Sequence, residues 1–352
     1  MRRLGFLEVL VCDCVEPGEP ADAQVLGERL WQEVSDKQDS YLQDLAKRRG
    51  LGSEVGRITS RIANRYVKLA TEMGLLTKGD NKTLTDLGRT FKSFRREAFF
   101  LDRNPGQRLL YIRELTLRRD NLVLAPLCSF VAKEQPVGKD AVYGWFANEF
   151  VPKVERSKLV DEGLATRLRT SADTYTNPDT KRLGVDRIKH MVDTRLEHLV
   201  DLEVLGKTKG PSYFAKPLCS GLSKSAYSEG AFYDSIATEF GAKATSSDNE
   251  VALDIVLAFE KLRQTPLNLV PLGSLHDSVI IGGIVEKQVK IIPSQIERVE
   301  EWMAKQYYGR VIFFEGKERR ATNLTISEPD QLADELRVLS KEESRHSPPG
   351  GC

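Results

Sequence analysis

The chain has 352 residues, of which 40% are hydrophobic and 29% are charged. This composition is typical of an ordinary globular protein, and the length suggests two or three domains. No run of about 18 consecutive uncharged apolar residues occurs, which excludes a membrane-spanning helix. We interpret the apolar run Leu4–Cys12, which Glu8 interrupts, as a buried element rather than a signal peptide, and we expect a cytoplasmic location.

The formal net charge is only +1, but its distribution along the chain is uneven. Residues 1–44 carry 4 basic and 10 acidic side chains, whereas residues 45–100 carry 13 basic and 5 acidic side chains, a balance of +8. Residues 228–352 are acidic again, with a balance of −6. One short basic segment of this kind is the usual electrostatic footprint of a module that binds a polyanion.

The first predicted elements are helices over residues 23–34, 40–50 and 54–73. Ser53 is the expected N-cap of the third helix, and Gly74 suits the position just after its end. The apolar residues of this helix recur at helical spacing and predict one buried face: Ile58, Ile62, Tyr66, Leu69, Ala70 and Met73. Residues 75–86 predict a short strand, a polar turn and a second strand, followed by a helix over Leu87–Phe94.

A resemblance to a known family rests on two stretches of this region. Residues 66–78 read Tyr-Val-Lys-Leu-Ala-Thr-Glu-Met-Gly-Leu-Leu-Thr-Lys, and residues 84–91 read Leu-Thr-Asp-Leu-Gly-Arg-Thr-Phe. Together they resemble winged helix-turn-helix domains, most clearly over residues 40–95. The resemblance implies that the helix before the hairpin lies in the major groove of DNA and that the hairpin is the wing. Some members of this class are protein–protein adaptors instead.

The same order of elements is predicted twice more. A helix over Val185–Val204 leads into a basic turn and the aromatic strand that ends at Phe214, and a helix over Gln295–Tyr308 leads into the hairpin Val311–Ile326. We predict a mainly α fold with small β-hairpin wings (α+β), in which helical linkers join two to three winged-helix-like modules. The predicted domains are 1–100, 101–217 and 228–330, with an exposed loop at Thr170–Pro178 and a disordered tail at 341–352.

The sharpest candidate site is the polar face of the predicted helix over residues 54–73. Basic and amide side chains lie there at spacings of about four, where arginine can meet phosphates or guanine edges and asparagine can read adenine. A basic triplet precedes the helix, and lysines occupy the predicted wings. The residues expected to contact DNA are Lys47, Arg48, Arg49, Arg57, Ser60, Arg61, Asn64, Arg65, Lys68, Lys78, Lys82, Arg187, Lys207 and Lys209.

Catalytic and metal-binding signatures are missing from the sequence. No phosphate-binding loop, dinucleotide-binding motif or nucleophile turn occurs, and the five cysteines and four histidines have no metal-ligand spacing. We therefore predict a non-enzyme without cofactor or metal. One alternative stays open: Asp277, Glu315 and Lys317 half-resemble a Mg²⁺-dependent nuclease, with Asp277 preceding the apolar run Ser278–Ile281 as a strand.

The leading hypothesis is non-catalytic binding of double-stranded DNA. The chain would act as a transcriptional regulator or as the DNA-recognition subunit of a restriction or phage-defence complex. A second hypothesis is a protein–protein adaptor built on winged helices. The third predicted module carries the acidic helix residues Glu297, Glu300 and Glu301, which favours internal packing or homodimerisation over DNA contact.

Overall fold

The computed structural model describes residues 4–16, 18–39, 43, 59–95, 104–115, 121–157, 160–208, 210, 212–219, 222, 229–242, 244–263, 268–315 and 321–346. Within these ranges the protein is mainly helical, with two small antiparallel three-stranded sheets and one short parallel strand pair. The predicted α+β class is therefore confirmed.

The first unit runs from α1 to α4. Its helices are α1 (Gly5–Val9, continued by a π-helical turn to Cys14), α2 (Ala23–Val34), α3 (Ser60–Glu72) and α4 (Asp86–Ser93). Antiparallel bridges join Ala21 to Lys82 and Leu76 to Leu84. Gly88 is needed in α4, because an added Cβ would lie 2.2 Å from the carbonyl oxygen of Leu75.

The second unit runs from α6 to β3 and is connected to the first by α5 (Pro105–Arg113). Its elements are α6 (Asn121–Glu134), β1 (Val137–Gly138), α7 (Lys139–Trp145, continued by a π-helical turn to Phe150), α8 (Val151–Ser157), α9 (Glu162–Thr176), α10 (Lys181–Asp201), β2 (Leu205–Lys207) and β3 (Ser212–Ala215). The sheet order is β1-β3-β2, and both strand pairs are antiparallel.

The third unit runs from α12 to β8, after α11 (Glu229–Glu239) and β4 (Ala244–Thr245). Its elements are α12 (Asp248–Leu262), β5 (Val270–Pro271), α13 (Leu272–Gly282, continued by a π-helical turn to Lys287), β6 (Val289–Lys290), α14 (Pro293–Gln306), β7 (Val311–Glu315) and β8 (Ala321–Ile326). Helix α15 (Pro329–His346) follows. The sheet order is β5-β8-β7, and β4 pairs with β6 in parallel.

One connectivity therefore occurs three times. In each unit a helix leads to a short strand or bridge residue, which is followed by further helices and a hairpin. The second strand of each hairpin lies in the middle, between the first strand segment and the other hairpin strand. As a result, α3, α10 and α14 hold equivalent positions, each directly before the hairpin of its unit.

Three predicted boundaries are wrong. Thr59 has extended backbone angles, so α3 begins at Ser60 rather than residue 54. The loop predicted at Thr170–Pro178 is helical as far as Thr176, because α9 buries Leu168 and Ala172 on one side. The tail predicted from residue 341 is helical as far as His346, on a helix whose Leu332 and Leu336 are fully buried. Residues 347–352 and nearly all of the helix predicted over 40–50 lie outside the described residues.

A buried charge network joins α5 to the third unit. Arg113 has no exposed surface, and its guanidinium donates to the Tyr233 hydroxyl at 2.9 Å, to Glu114 and to Asp277 of α13. The Tyr233 hydroxyl also donates to Asp277 at 3.1 Å. Burial disfavours the charge, but Tyr233 and Asp277 outweigh burial and hold the pKa of Arg113 above its ordinary value.

A second contact joins the first unit to the second. The backbone N–H of Leu4 donates to the Asp201 carboxylate at 2.8 Å, and both residues are buried. Arg108 of α5 also pairs with Glu203, just after α10. The buried hydrophobic side chains of all three units also form one continuous cluster.

Replacing Asp277 by alanine should lower the free energy of unfolding by about 3 kcal/mol, because Arg113 then loses one partner while staying fully buried. Unfolding in urea measures the change. The control is Asp334→Ala, which removes an exposed pair with Arg337 and should cost less than about 1 kcal/mol. Equal midpoints for both variants would show that the Arg113 network does not stabilise the contact between α5 and the third unit.

The His276–Glu300 pair should make the stability pH-dependent. Burial lowers the pKa of His276, but the 2.9 Å hydrogen bond with Glu300 and the charges of Glu300, Glu297 and Asp277 outweigh it and raise the pKa above its ordinary value. The stabilisation is then complete below the unfolded pKa of about 6.5 and is lost as pH rises through the folded value. The free energy of unfolding should fall as pH rises above about 6.5, and His276→Gln should flatten this dependence. An unchanged pH profile in the variant would contradict the assignment.

Candidate nucleic-acid interface

Helix α3 has one buried and one exposed face. Ala63, Tyr66, Val67 and Ala70 are at most 2% exposed, and the Tyr66 ring packs edge-on against Phe6 at 5.6 Å. Of the predicted apolar stripe, Tyr66, Ala70 and Met73 are buried, Ile62 and Leu69 are partly buried, and Ile58 lies outside the described residues. This face anchors α3 on α1 and α2. The opposite side carries the predicted contact residues of this helix, all of which are exposed: Ser60, Arg61, Asn64, Arg65 and Lys68.

The cations of this side are available to a ligand. Among the described residues, Arg61 and Arg65 have no ion pair or hydrogen-bond partner. Lys68 lies 3.8 Å from Glu72, but their side chains are 78% and 59% exposed, so water screens the pair strongly. We call Arg61, Asn64, Arg65 and Lys68 the α3 face.

Asn64 has a second role that the sequence did not reveal. Its side chain lies over Gly27 of α2, where an added Cβ would be 1.7 Å from the Asn64 Oδ1 atom. Gly27 thus permits the close approach of α2 and α3, and Asn64 takes part in that packing while staying exposed. A glycine inside the amphipathic pattern of α2 was the available signal.

The two lysines of the first hairpin differ. Lys78 is exposed, whereas the ammonium of Lys82 donates to the carbonyl of Gly79 and its backbone pairs with Ala21. Lys78 is therefore the more accessible of the two cations beside the α3 face. Five further predicted contact residues lie outside the described residues: Lys47, Arg48, Arg49, Arg57 and Lys209.

The two predicted contact residues of the second unit that the structure describes differ in exposure. Arg187 is exposed and donates to the Thr174 hydroxyl at 3.1 Å. Lys207 instead pairs with Glu197 at 2.9 Å and lies over the Tyr213 ring at 5.7 Å, with side-chain exposures of 20% for Lys207 and 6% for Glu197. Lys207 therefore compensates a buried carboxylate, and its charge is less accessible than that of Arg187.

The structure places Asp277, one of the three residues proposed for the nuclease alternative, on a helix rather than before a strand. Asp277 and the run Ser278–Ile281 belong to α13, not to a strand, and the Asp277 carboxylate accepts from Arg113 and Tyr233. Glu315 is exposed at the end of β7, and Lys317 lies outside the described residues. The parts of the chain that the structure describes contain no group of three or more His, Cys, Asp or Glu side chains able to hold a metal ion.

Helix α14 of the third unit differs from α3 in charge. Glu297 and Glu301 are exposed, Glu300 is buried against His276, and the exposed Arg298 pairs with Asp248 at 2.7 Å. Its accessible side therefore has no surplus of free cations, in agreement with the acidic pattern in the sequence.

Across the described ranges, no helix has both the length and the hydropathy that a bilayer crossing requires. Comparisons of the chain with protein-family models, with curated proteins and with solved structures give no match.

Replacing Lys207 by methionine should lower the free energy of unfolding by about 1 to 3 kcal/mol, because the Glu197 carboxylate stays buried with one partner fewer. Urea unfolding measures the loss. Lys78→Met is the matched control, since Lys78 is exposed and its removal should leave stability unchanged. If both lysine variants were as stable as the parent, Lys207 would have no structural role.

Proposed function

We propose that the chain is a non-catalytic protein that binds double-stranded DNA through winged-helix modules, with α3 of the first unit as the main contact. The observation that carries the proposal is the α3 face. Arg61 and Arg65 are exposed there without a partner among the described residues, directly before a hairpin that presents Lys78.

The repeated connectivity supports the winged-helix part of this proposal. In winged helix-turn-helix domains the helix before the hairpin reads the major groove, and the hairpin is the wing that lies beside it. Helix α3 stands at that place in the first unit, and the bridges at Ala21 and Leu76 flank the returning strand as they would in such a domain. The major groove is about 12 Å wide, which admits one α-helix.

The charge distribution supports a polyanionic ligand. Residues 45–100 have a balance of +8 in a chain whose net charge is +1. Arginine forks match phosphate oxygens or a guanine edge bidentately, and the Asn64 amide suits an adenine edge. A transcriptional regulator and the recognition subunit of a restriction or defence complex both require this interface, and the proposal covers both roles.

The test is the salt dependence of duplex binding. Fluorescence anisotropy with a random duplex of roughly 30 base pairs should show an affinity that falls steeply with salt. Arg61→Ala/Arg65→Ala should reduce the slope of log K against log salt by about 1.8, because each lost phosphate contact removes about 0.9. Circular dichroism should show unchanged helicity, since both side chains are exposed.

The control is Lys261→Ala/Lys341→Ala, which removes two exposed cations from the third unit and from α15. This variant has the same net charge as the arginine variant and should bind like the parent. Equal slopes for parent, arginine variant and control would refute α3 as the contact. No binding at low salt would refute the function itself.

A protein–protein adaptor is the second candidate, and one surface favours it. Strand β7 is at the edge of its sheet, and its Ile312 and Phe314 side chains are 41% and 44% exposed. Tyr308, just before this strand, is 92% exposed. Exposed apolar side chains on an edge strand are typical of an interface with another chain or with a second copy of the same one. Absence of duplex binding would leave this reading in place.

A further inference from the structure

Helix α10 holds the same place in the second unit as α3 does in the first. It has 21 residues against 13 in α3, and it directly precedes the hairpin of β2 and β3. By sequence it is a poor DNA-binding helix, because acidic residues are spread along it. In the structure, however, most acidic residues of α10 are buried, whereas the basic residues of its N-terminal half are exposed.

The carboxylates in the C-terminal half of α10 face the interior. Three of them are buried, with exposures of 3%, 5% and 1%: Asp193, Glu197 and Asp201. Asp193 accepts from Lys139 at 2.9 Å and from the Tyr143 hydroxyl at 2.6 Å. Glu197 has Lys207 and Tyr213 as partners, and Asp201 accepts from the backbone of Leu4. Lysines compensate Asp193 and Glu197, a backbone N–H donates to Asp201, and none of the three carboxylates lies on the surface.

The N-terminal half of α10 has the opposite character. Gly184, Ile188 and Val192 form its buried side. Asp186 is its only exposed acidic residue, against four exposed cations that we call the α10 face: Lys181, Arg182, Arg187 and Lys189. Arg182 and Lys189 are two turns apart and so lie on the same side, and within the described ranges neither has an ion pair or a hydrogen-bond partner.

The backbone that carries these cations is held firmly. Helix α9 packs so closely against α10 that a Cβ on Gly184 would lie 2.3 Å from the backbone of Tyr175. Lys181 lies over the Tyr175 ring at 5.6 Å, and Arg187 donates to Thr174. The two free cations therefore project from a fixed scaffold, which reduces the ordering cost of binding.

We propose that the α10 face is a second contact with the same DNA duplex, in which Arg182 and Lys189 bind backbone phosphates. This inference rests on the proposed function. Surplus cations with one exposed carboxylate among them suit a polyanion, and long flexible side chains suit phosphates better than base edges. The Leu4–Asp201 and Arg108–Glu203 contacts fix the two units relative to each other, so the α10 face keeps a constant position relative to the α3 face. A duplex that contacts both faces would meet the second one at high effective concentration.

The experiment uses the full chain and a duplex of roughly 30 base pairs, with anisotropy measured between about 50 and 200 mM salt. Arg182→Ala/Lys189→Ala should lower the slope of log K against log salt by about 1.8 and weaken binding roughly 10- to 100-fold at about 0.1 M salt. Arg182→Lys/Lys189→Arg keeps both charges and should retain the parental slope. Thermal unfolding should give one midpoint for all variants, because the side chains are exposed.

The outcomes separate this inference from the function on which it rests. If Arg61→Ala/Arg65→Ala weakens binding while Arg182→Ala/Lys189→Ala matches the Lys261→Ala/Lys341→Ala control, the second contact is refuted and the first stands. If both arginine-containing alanine variants lower the slope and the charge-retaining variant does not, the second contact is supported. If the parent binds no duplex, both proposals fall together.

Discussion

The architecture depends on the compensation of one guanidinium that has no contact with solvent. Arg113 comes from α5, between the first two units, and its partners include Asp277 of the third unit and Tyr233 of α11. A buried charge without partners costs several kcal/mol. Moving the third unit away from α5 would therefore leave the Arg113 guanidinium without Asp277, so the contact between α5 and the third unit is strongly favoured. The network therefore fixes the third unit to α5, while the Leu4–Asp201 and Arg108–Glu203 contacts tie the second unit to the first unit and to α5.

The same principle decides which surfaces are open to a ligand. Lys207, Lys139 and Arg113 all neutralise buried carboxylates and are unavailable for binding. The buried residues of α3 and of the first half of α10 are apolar or small, so neither helix buries a carboxylate of its own there. Among the described residues, Arg61 and Arg65 of α3 and Arg182 and Lys189 of α10 have no ion pair.

Much of the fold is predictable from local patterns. The buried Tyr66 and Ala70 of α3, the buried Met73 just after it and the hairpin over residues 311–326 follow from helical periodicity and turn residues, and they are confirmed. Helix α4 begins at Asp86, one residue before its predicted start. The errors occur where tertiary contacts override local polarity. Residues 170–176 are polar enough for a loop but are helical, because α9 packs along α10 through Gly184. Likewise, no local pattern distinguishes the internal Lys207 from the exposed Lys78.

The sequence by itself determined the helix-then-hairpin order, the class of the fold and the concentration of basic charge in residues 45–100. These properties depend on periodicity and composition, which act over a few residues. Only the tertiary structure decided which charges are free, because pairing joins residues far apart in the chain, as Leu4 with Asp201 or Arg113 with Asp277. Burial of one set of carboxylates turns the mixed charge pattern of α10 into a basic surface.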